Sequence, residues 1–444
     1  MVLRFAPSPT GLLHVGNLRT AIINWIYAKK INSDFLLRID DTDTSRSKIE
    51  YVNMIKEDLK WIGLDWDLTY AQSERIESYN EAFNYLKNEK LIYKCYETDE
   101  ELSIKRSRQR SAGLPPVYDR SSLKISADKQ EQYESEGRKP YWRLKLPDDP
   151  IIWNDKIYGE IKFDTKSHSD PVIVRADGRY LYTITSVVDD IYSKVSNIIR
   201  GSDHITNSGV QIYLFQILEA KSPNFFHHSL MTDVNGGPLS KRIGSLSIKG
   251  IRDRGIEPEV LLNYLTFVGS ITEQNEFYKI NDLKQNYDIN SLGKSNAPFD
   301  EKLLNDLNSN FLQKQTYEFF NKKSIEFNFN TASSDFWEAV KNNIKVFKEA
   351  QEWFEIIYGK IEPIIEDKEY INLALNLIPN EEFDNSSWKI WTDLIKIKTG
   401  KKGKNLFMPL RLSITGKNFG PEMAKLLPLI GKDKIISRLS GNVS

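Results

Sequence analysis

The first forty residues constrain the fold more than any other part of the sequence. Val2 to Ala6 form a short apolar strand that ends abruptly at Pro7-Ser8-Pro9-Thr10-Gly11, a Pro/Gly cluster typical of a loop. Apolar residues then recur at helical spacing from about Asn17 to Lys30. A buried strand from Phe35 to Ile39 and a second amphipathic helix follow. Strand, loop, helix, strand and helix predict the opening of a parallel α/β sheet.

The regular alternation breaks near Tyr93, where Thr98 and Glu101 form a capping box for a new helix. The stretches 141–146 and 157–163 alternate as antiparallel strands do, so we interpret residues 93–180 as an insertion into the sheet domain. Strand-like and helical segments resume near Val172, Tyr182 and Ile198, which predicts completion of the sheet there.

Beyond residue 237 the pattern becomes helical, and no strand signal is evident after about residue 280. We therefore predict a split sheet domain from 1–92 and 181–237, the insertion from 93–180, a helical segment from 238–310 and an all-α region from 311–444.

Composition limits the classes of partner and site. The chain has 444 residues with 61 basic and 61 acidic side chains, so any nucleic acid must be met by a local basic face. One cysteine, Cys95, excludes a disulfide framework and a Cys-based zinc site. No secretory signal or apolar run of ~20 residues is evident, so we expect a cytoplasmic protein.

The loop between the first strand and first helix has the features of a phosphate-binding site. In an open α/β sheet that position is the crevice at the carboxyl ends of the strands, where ligands bind. We expect the following helix to offer free N–H groups and its positive dipole end to phosphate. Gly16 allows a flat ring to approach the backbone, and His14 can donate to phosphate oxygens, although a structural histidine is the simpler interpretation of His14 alone.

The run Phe5 to Gly11, followed by His14-Val15-Gly16, resembles the ATP-binding signature of class I glutamyl-tRNA synthetases. Asn17 stands where the general class I pattern has a second histidine. The resemblance implies an ATP site, for ATP with Mg²⁺ as the substrate complex, that includes Ser8, His14, Gly16 and Asn17.

A second segment, Gly236-Gly237-Pro238-Leu239-Ser240-Lys241-Arg242, resembles the lysine-bearing loop of the same family. The resemblance implies that Ser240, Lys241 and Arg242 contact ATP, with Lys241 stabilising the phosphate charge as pyrophosphate leaves. Pro238 stands where the family usually has its first lysine.

Recognition of glutamate requires partners for two charged groups. Arg4 and Arg200 match family positions that resemble a clamp on the side-chain carboxylate, although either one alone is compatible with an ion-paired structural arginine. Asp40, in place of the usual glutamate, is the implied partner of the ammonium group. The resemblance also assigns Tyr182 to the glutamate pocket, together with Ala6 and Ser8 of the loop.

Transfer RNA must contact the protein at its acceptor end and at its anticodon. The insertion resembles the acceptor-binding domain, where Lys105, Arg106, Arg108 and Arg110 provide phosphate-positioning charge or a solvated helix face. The stretch 405–411 resembles a signature of the helical anticodon-binding domain, although Met408-Pro409 is also compatible with a helix junction. The RNA contacts implied in this region are Lys401, Lys402 and Arg411.

The resemblance therefore implies a Rossmann-like catalytic domain, an inserted α+β acceptor-binding domain, a stem-contacting helical segment and an all-α anticodon-binding region. The implied enzyme is a monomeric glutamate–tRNA ligase without zinc, acting on glutamate, ATP and tRNA(Glu), with tRNA(Gln) as an open alternative substrate. A tRNA-binding paralogue with impaired activation is the rival hypothesis, because Pro238 and Asp40 depart from the family pattern.

Overall fold

The computed structural model describes residues 1–239, 246–270, 277–329 and 331–444, so Ser240, Lys241 and Arg242 lie outside the described residues. The strands are β1 (Val2–Phe5), β2 (Asp34–Ile39), β3 (Leu68–Ala71), β4 (Ile92–Cys95), β5 (Tyr141–Leu144), β6 (Ile151–Asp155), β7 (Gly159–Phe163), β8 (Val172–Val174), β9 (Val195–Gly201), β10 (Asn224–His228), β11 (Met231–Thr232) and β12 (Ala297–Pro298).

The first ten α-helices are α1 (Val15–Lys30), α2 (Ile49–Trp61), α3 (Ile76–Asn88), α4 (Asp99–Ser111), α5 (Ala127–Ser135), α6 (Tyr182–Tyr192), α7 (Ile205–Ile217), α8 (Ile248–Asp253), α9 (Pro258–Phe267) and α10 (Ile280–Asn286). They are followed by α11 (Glu301–Gln313), α12 (Tyr317–Ser324), α13 (Ser334–Val340), α14 (Lys348–Tyr358), α15 (Lys368–Asn376), α16 (Ser387–Thr399), α17 (Lys404–Thr415), α18 (Met423–Ile430) and α19 (Lys432–Leu439). None of the helices described is long and apolar enough to cross a membrane.

A five-stranded sheet in the order β10-β9-β1-β2-β3 organises the N-terminal part, and each neighbouring pair is parallel. All four residues of β1 are buried, as expected for a central strand covered on both faces. The predicted parallel α/β sheet is therefore confirmed. Because carboxyl ends of parallel strands share one edge, the loops after β1 and β9 lie beside each other.

The insertion differs from the sheet domain in strand direction. β4, β5 and β8 form an antiparallel sheet, and β6 pairs with β7 as a hairpin. Val172 therefore belongs to the insertion's sheet, and the prediction that it helps to complete the parallel sheet is wrong. The hairpin packs closely on α7, where a Cβ at Gly209 would lie 2.5 Å from the Phe163 ring. Only glycine admits this approach.

The described residues form two compact units, one made of 1–251 with 261–300 and the other of 252–260 with 301–444. The finer division into four parts stays a prediction. In the first unit, Ala297 and Pro298 pair with Met231 and Thr232, so the expectation of no strand after residue 280 is wrong. A pairing of two residues is too short to produce an alternating pattern.

All regular secondary structure in the described residues of the second unit is helical, as predicted. Helix α17 continues through Pro409, so interpreting Met408-Pro409 as a helix junction is wrong. The fully buried Arg438 donates to the carbonyl oxygens of Ile414 at 2.7 Å and Ile356 at 2.8 Å. A buried arginine thereby satisfies backbone acceptors that burial would otherwise leave unpaired.

Glu97, just after β4, organises the start of the insertion. One carboxylate oxygen accepts hydrogen bonds from the Tyr118 hydroxyl at 2.7 Å and the Lys105 ammonium at 3.2 Å, and the other accepts from Ser122 at 2.9 Å. Burial alone would raise the pKa of Glu97, but these hydrogen bonds outweigh it and lower the pKa to about 2. The ionised carboxylate therefore stabilises the folded insertion.

We expect Glu97→Gln to destabilise the insertion by about 1–3 kcal/mol at neutral pH, since hydrogen bonds to a charged group are lost. The wild-type contribution is complete above the unfolded pKa of Glu97, near 4.5, and declines as the pH falls from there through about 2. The difference in free energy of unfolding between wild type and variant must therefore shrink on acidification. Native-state hydrogen exchange across residues 92–144 measures it, with the exposed Glu100→Gln as control. A difference that grows towards low pH would contradict this prediction.

Candidate active site

A cavity of about 1010 Å³ opens at the carboxyl ends of β1 and β9. Its lining comes from the loop after β1, the start of α1, the end of β9 and the segment around β11. The site residues that the sequence predicted and that this cavity brings together are Arg4, Ala6, Ser8, His14, Gly16, Asn17, Tyr182 and Arg200.

His14 caps helix α1 and presents its ring to the cavity. Its Nδ1 accepts the backbone N–H groups of Gly16 at 3.1 Å and Asn17 at 3.4 Å, so α1 begins before the predicted start at Asn17. Burial lowers the pKa of His14, which favours the neutral ring. Because Nδ1 is an acceptor, the neutral ring carries its proton on Nε2 and can donate from there.

The N–H groups at the start of α1 already have acceptors. The Val15 N–H donates to the Leu246 carbonyl oxygen at 3.2 Å, and the next two donate to His14. The expectation that these groups are free for phosphate is therefore wrong. What α1 offers the cavity is its positive dipole end and the Nε2–H of His14.

Gly16 leaves room for the His14 ring as well as for access to the backbone. A Cβ at position 16 would lie 3.1 Å from Cε1 and 3.2 Å from Nδ1 of the imidazole. Such contacts would push the ring by a few tenths of an ångström, so the absence of a side chain at Gly16 favours the capping position of His14.

Arg200 brings a buried positive charge to the cavity wall. Its guanidinium donates to the Tyr182 hydroxyl at 2.7 Å, to Ser208 Oγ at 2.6 Å and to Gln211 Oε1 at 2.6 Å. Among the described residues, no carboxylate lies within ion-pair distance of this guanidinium. Burial lowers the pKa of Arg200, as expected for a cation that lacks a neutralising partner. The site is thus prepared for an anion.

Arg4 lines the same cavity and is held by a buried carboxylate. Its Nε and Nη2 donate to the two oxygens of Asp190 at 3.1 and 3.4 Å. Asp190 also accepts a hydrogen bond from Arg38 at 2.8 Å. Two arginines therefore share one buried carboxylate. Within the part of the chain that the structure describes, the remaining N–H groups of Arg4 have no acceptor and are available to a ligand.

Asp40 is not among the cavity-lining residues. Both of its oxygens accept hydrogen bonds from Arg38, at 2.7 and 3.2 Å. Burial raises the pKa of Asp40 to about 6 in spite of this arginine, so the carboxylate is still ionised at neutral pH. The role of Asp40 as the ammonium partner stays a prediction, and the observed role is to hold Arg38.

Asp189 completes the buried charge network. It accepts hydrogen bonds from Arg75 at 2.7 Å, Gln72 at 2.8 Å and the Tyr79 hydroxyl at 2.8 Å. We define the buried network as Arg4, Arg38, Arg75, Asp40, Asp189 and Asp190. For Arg38, burial would lower the pKa, but Asp40 and Asp190 raise it well above its usual value.

Several lining residues were not assigned from the sequence. His204 and Asp203 follow Arg200 closely at the end of β9, and that position is a signal that could have identified them. Burial lowers the pKa of His204 to about 4, so its ring is neutral near pH 7. His228 and Thr20 also line the cavity, with Thr20 Oγ1 2.9 Å from His228 Nε2. No local pattern joins two residues so distant in sequence.

The basic residues of the insertion differ in whether their side chains are exposed or already paired within the protein. Lys105 contacts Glu97 and Ser121, whereas Arg108 and Arg110 are exposed on α4. Arg106 is also exposed and donates to its own helix. A second cavity of about 570 Å³ is lined by residues that include Lys105, Arg106, Arg108 and Arg143.

The basic residues of the second unit divide in the same way. Lys401 donates to Asp367 at 2.9 Å and lies over the Tyr370 ring, and Arg411 donates to the carbonyl oxygens of residues 419 and 421. Lys402 is exposed. Lys401 and Arg411 thus have structural partners as well as any role with a ligand.

Comparisons with known proteins cover the whole chain. Residues 1–306 match the model of the catalytic domain of class I tRNA synthetases (E and Q), and residues 304–443 match an anticodon binding domain. Over 442 residues the chain is 44% identical to glutamate–tRNA ligase 1 of Maricaulis maris (strain MCS10), covering 99% of both chains. It is 43% identical over 441 residues to glutamate–tRNA ligase 2 of Hyphomonas neptunium (strain ATCC 15444), again covering 99% of both.

Solved structures agree with these relatives. The chain superposes with a TM-score of 0.84 on a glutamate tRNA ligase from Elizabethkingia meningosepticum CCUG26117, crystallised in complex with its amino acid. The two are 26% identical, and the match covers 99% of this chain and 98% of the other.

The buried network generates a stability prediction. Arg38→Met leaves Asp40 without its hydrogen-bond donors and takes one donor from Asp190 in the core, so we expect a loss of about 3–5 kcal/mol in the free energy of unfolding. The matched control is Arg46→Met, which removes an exposed arginine paired with Asp43 at 2.7 Å and should leave the unfolding midpoint nearly unchanged. Urea denaturation measures both, and equal effects would refute the assignment of the network as the stabilising element.

Proposed function

The chain belongs to the glutamate–tRNA ligases, within the class I aminoacyl-tRNA synthetases, and we propose that its cavity binds glutamate and ATP and forms glutamyl-tRNA. The observation that carries the proposal is the pair of buried arginines at the wall of one cavity, of which Arg200 lacks a carboxylate partner among the described residues. The rival hypothesis of a paralogue with impaired activation is not favoured, because relatives of full length are ligases.

The glutamate side chain would neutralise the charge of this wall. Arg200 and the free N–H groups of Arg4 offer donors to the side-chain carboxylate, and this charge-assisted pairing rejects an uncharged amide. The Tyr182 hydroxyl accepts a hydrogen bond from Arg200, so its proton can be donated to the substrate. Ala6 and Ser8 border the same space. We propose Asp40 as the partner of the ammonium group.

ATP would lie against the loop after β1 and the start of α1. The Nε2–H of His14 can donate to a phosphate oxygen, and Gly16 leaves room for a flat ring beside the backbone. Asn17 borders this space, and Ser240, Lys241 and Arg242 are proposed phosphate contacts from the loop that follows Leu239. A lysine places compact charge where charge develops as pyrophosphate leaves.

The proposed reaction has two steps. An oxygen of the glutamate α-carboxylate attacks the α-phosphorus of ATP, and the bond to the bridging oxygen of pyrophosphate breaks. A hydroxyl of the terminal ribose of tRNA then attacks the carbonyl carbon of glutamyl-adenylate, and AMP leaves. The side chains contribute orientation and charge stabilisation, and they form no covalent intermediate.

Transfer RNA is the proposed partner of both units. The exposed Arg106, Arg108 and Arg110 in the insertion and Lys402 in the helical unit are the better candidates for phosphate contacts. Lys105, Lys401 and Arg411 are retained as candidates, with the internal partners described above. We further propose a monomer that acts in the cytoplasm.

Charging of tRNA tests the function directly. With ATP, Mg²⁺ and labelled glutamate, we expect separately transcribed tRNA(Glu) to accept glutamate. The same assay with tRNA(Gln) shows whether that RNA is also a substrate. Acid-precipitable counts measure the product. Failure with both RNAs while binding of RNA remains tight and salt-sensitive would favour the impaired paralogue.

Lys241→Ala should nearly abolish glutamate-dependent exchange of pyrophosphate into ATP, because charge on the leaving phosphates loses its partner. Affinity for tRNA should stay close to that of wild type. The control is Lys221→Ala, which removes an exposed lysine of the same unit. Wild-type exchange in the Lys241 variant would contradict the assignment of this loop.

A further inference from the structure

A buried chain of hydrogen bonds runs behind Arg200. Asp155 Oδ2 lies 2.6 Å from His227 Nδ1, and His227 Nε2 lies 2.7 Å from Ser208 Oγ. Ser208 Oγ in turn accepts a hydrogen bond from Arg200 Nη2 at 2.6 Å. The side chains of Asp155 and His227 have no exposed surface, and Ser208 is fully buried. This chain of hydrogen bonds is therefore shielded from solvent.

The direction of each hydrogen bond follows from the ends of this chain. The Asp155 carboxylate can only accept, so the proton of His227 is on Nδ1. Nε2 is then an acceptor for the Ser208 hydroxyl at 2.7 Å, and the His204 carbonyl oxygen, at 3.1 Å, is the more distant of the two acceptors of that hydroxyl. The Ser208 lone pairs therefore face Arg200. Burial lowers the pKa of His227 more than its bond to Asp155 raises it, so the ring is neutral. One carboxylate thus sets the polarity of the whole chain.

Arg200 is left with few ways to rotate. Its Nε lies 3.5 Å from the same His227 Nε2, Nη2 is engaged by Ser208 and Gln211, and one N–H of Nη1 is engaged by Tyr182. Of the five N–H groups of a guanidinium, this leaves one, on Nη1, without an acceptor among the described residues. The same Nη1 donates to the cavity-lining Tyr182.

Asp155 comes from outside the parallel sheet. It ends strand β6 in the hairpin of the insertion, where its Oδ1 accepts the N–H groups of Ile157 at 2.9 Å and Tyr158 at 2.8 Å. The neighbouring Lys156 N–H donates to the carbonyl oxygen of Phe225 in β10 at 2.9 Å. The hairpin turn is thus fixed against the strand that carries His227.

We propose that Asp155 and His227 are positioning residues for glutamate binding, which act by holding Arg200 in the orientation that receives the side-chain carboxylate. The inference rests on the proposed role of Arg200 in glutamate recognition. It assigns to the insertion a part in the amino-acid site, in addition to any contact with RNA.

A nucleophilic triad is the other arrangement that Asp, His and Ser can form. Here Ser208 is fully buried, and its oxygen accepts a hydrogen bond from Arg200, so no substrate carbonyl can approach it. The geometry therefore serves orientation and not hydrolysis.

Asp155→Asn tests the proposal with little change in shape. The amide oxygen can still accept the two turn N–H groups, but the amide nitrogen donates to His227 Nδ1 and moves the ring proton to Nε2, facing Arg200. We expect the KM for glutamate in pyrophosphate exchange to rise on the order of tenfold, the scale of a hydrogen bond to a charged group, with the KM for ATP nearly unchanged. The exposed neighbour Asn154→Ala should leave both constants unaltered.

A double-mutant cycle with Arg200→Lys separates the positioning role of Asp155 from the proposed function of Arg200 in glutamate binding. If Asp155 acts through Arg200, the effect of Asp155→Asn on glutamate KM disappears in the lysine background, and an additive effect would overturn the proposal. If Arg200→Lys alone leaves glutamate KM unchanged, the proposed function of Arg200 fails, whatever Asp155 does.

A second pair of variants serves if Asp155→Asn does not fold. The amide of His227→Gln ends as many bonds from the backbone as Nε2, whereas the amide of His227→Asn ends at the position of Nδ1. Glutamine can keep an acceptor for Ser208 and should preserve glutamate KM better than asparagine. The reverse order would overturn the proposal.

Discussion

Burial of charge in the centre of a parallel sheet is the constraint on which the rest of the site depends. Strands β1 and β2 are covered on both faces, yet each carries an arginine, Arg4 and Arg38. A buried guanidinium is tolerated only when carboxylates and hydrogen bonds replace water. Asp190 accepts hydrogen bonds from both arginines, and Asp40 accepts hydrogen bonds from Arg38. The network fixes β1, β2 and α6 relative to one another and thereby fixes the floor of the cavity.

The arginines around the cavity differ in how their charge is neutralised, and the proposed selectivity for an anionic side chain rests on this difference. Asp189 and Asp190 bind arginines on the side of the sheet core, whereas Arg200 at the end of β9 is surrounded by neutral acceptors from Tyr182, Ser208 and Gln211. A buried cation that has hydrogen-bond acceptors but no ion-pair partner favours an anionic ligand over a neutral one of similar shape. In the proposed function, such a wall therefore selects glutamate over glutamine.

Local features of the sequence predicted much of this structure. The order of strand, loop and helix gave the sheet and its ligand-binding edge, and the spacing of Thr98 and Glu101 gave the start of α4. The pairing of Arg38 with Asp40 was also accessible, since Asp40 directly follows β2 and residues two apart in extended backbone lie on the same face. By contrast, Asp155 and His227 are 72 residues apart and meet only because the hairpin folds onto β10. Whether an arginine such as Arg200 is buried, and whether a carboxylate lies beside it, both depend on contacts between residues that are distant in sequence.

A crystal structure of the enzyme with glutamate bound would show which side chains receive the substrate's carboxylate. The proposed function places that carboxylate within hydrogen-bond distance of both Arg4 and Arg200, with the network of Asp40, Asp189 and Asp190 unchanged behind them. A carboxylate bound elsewhere in the cavity, with Arg200 still held only by neutral acceptors, would contradict it.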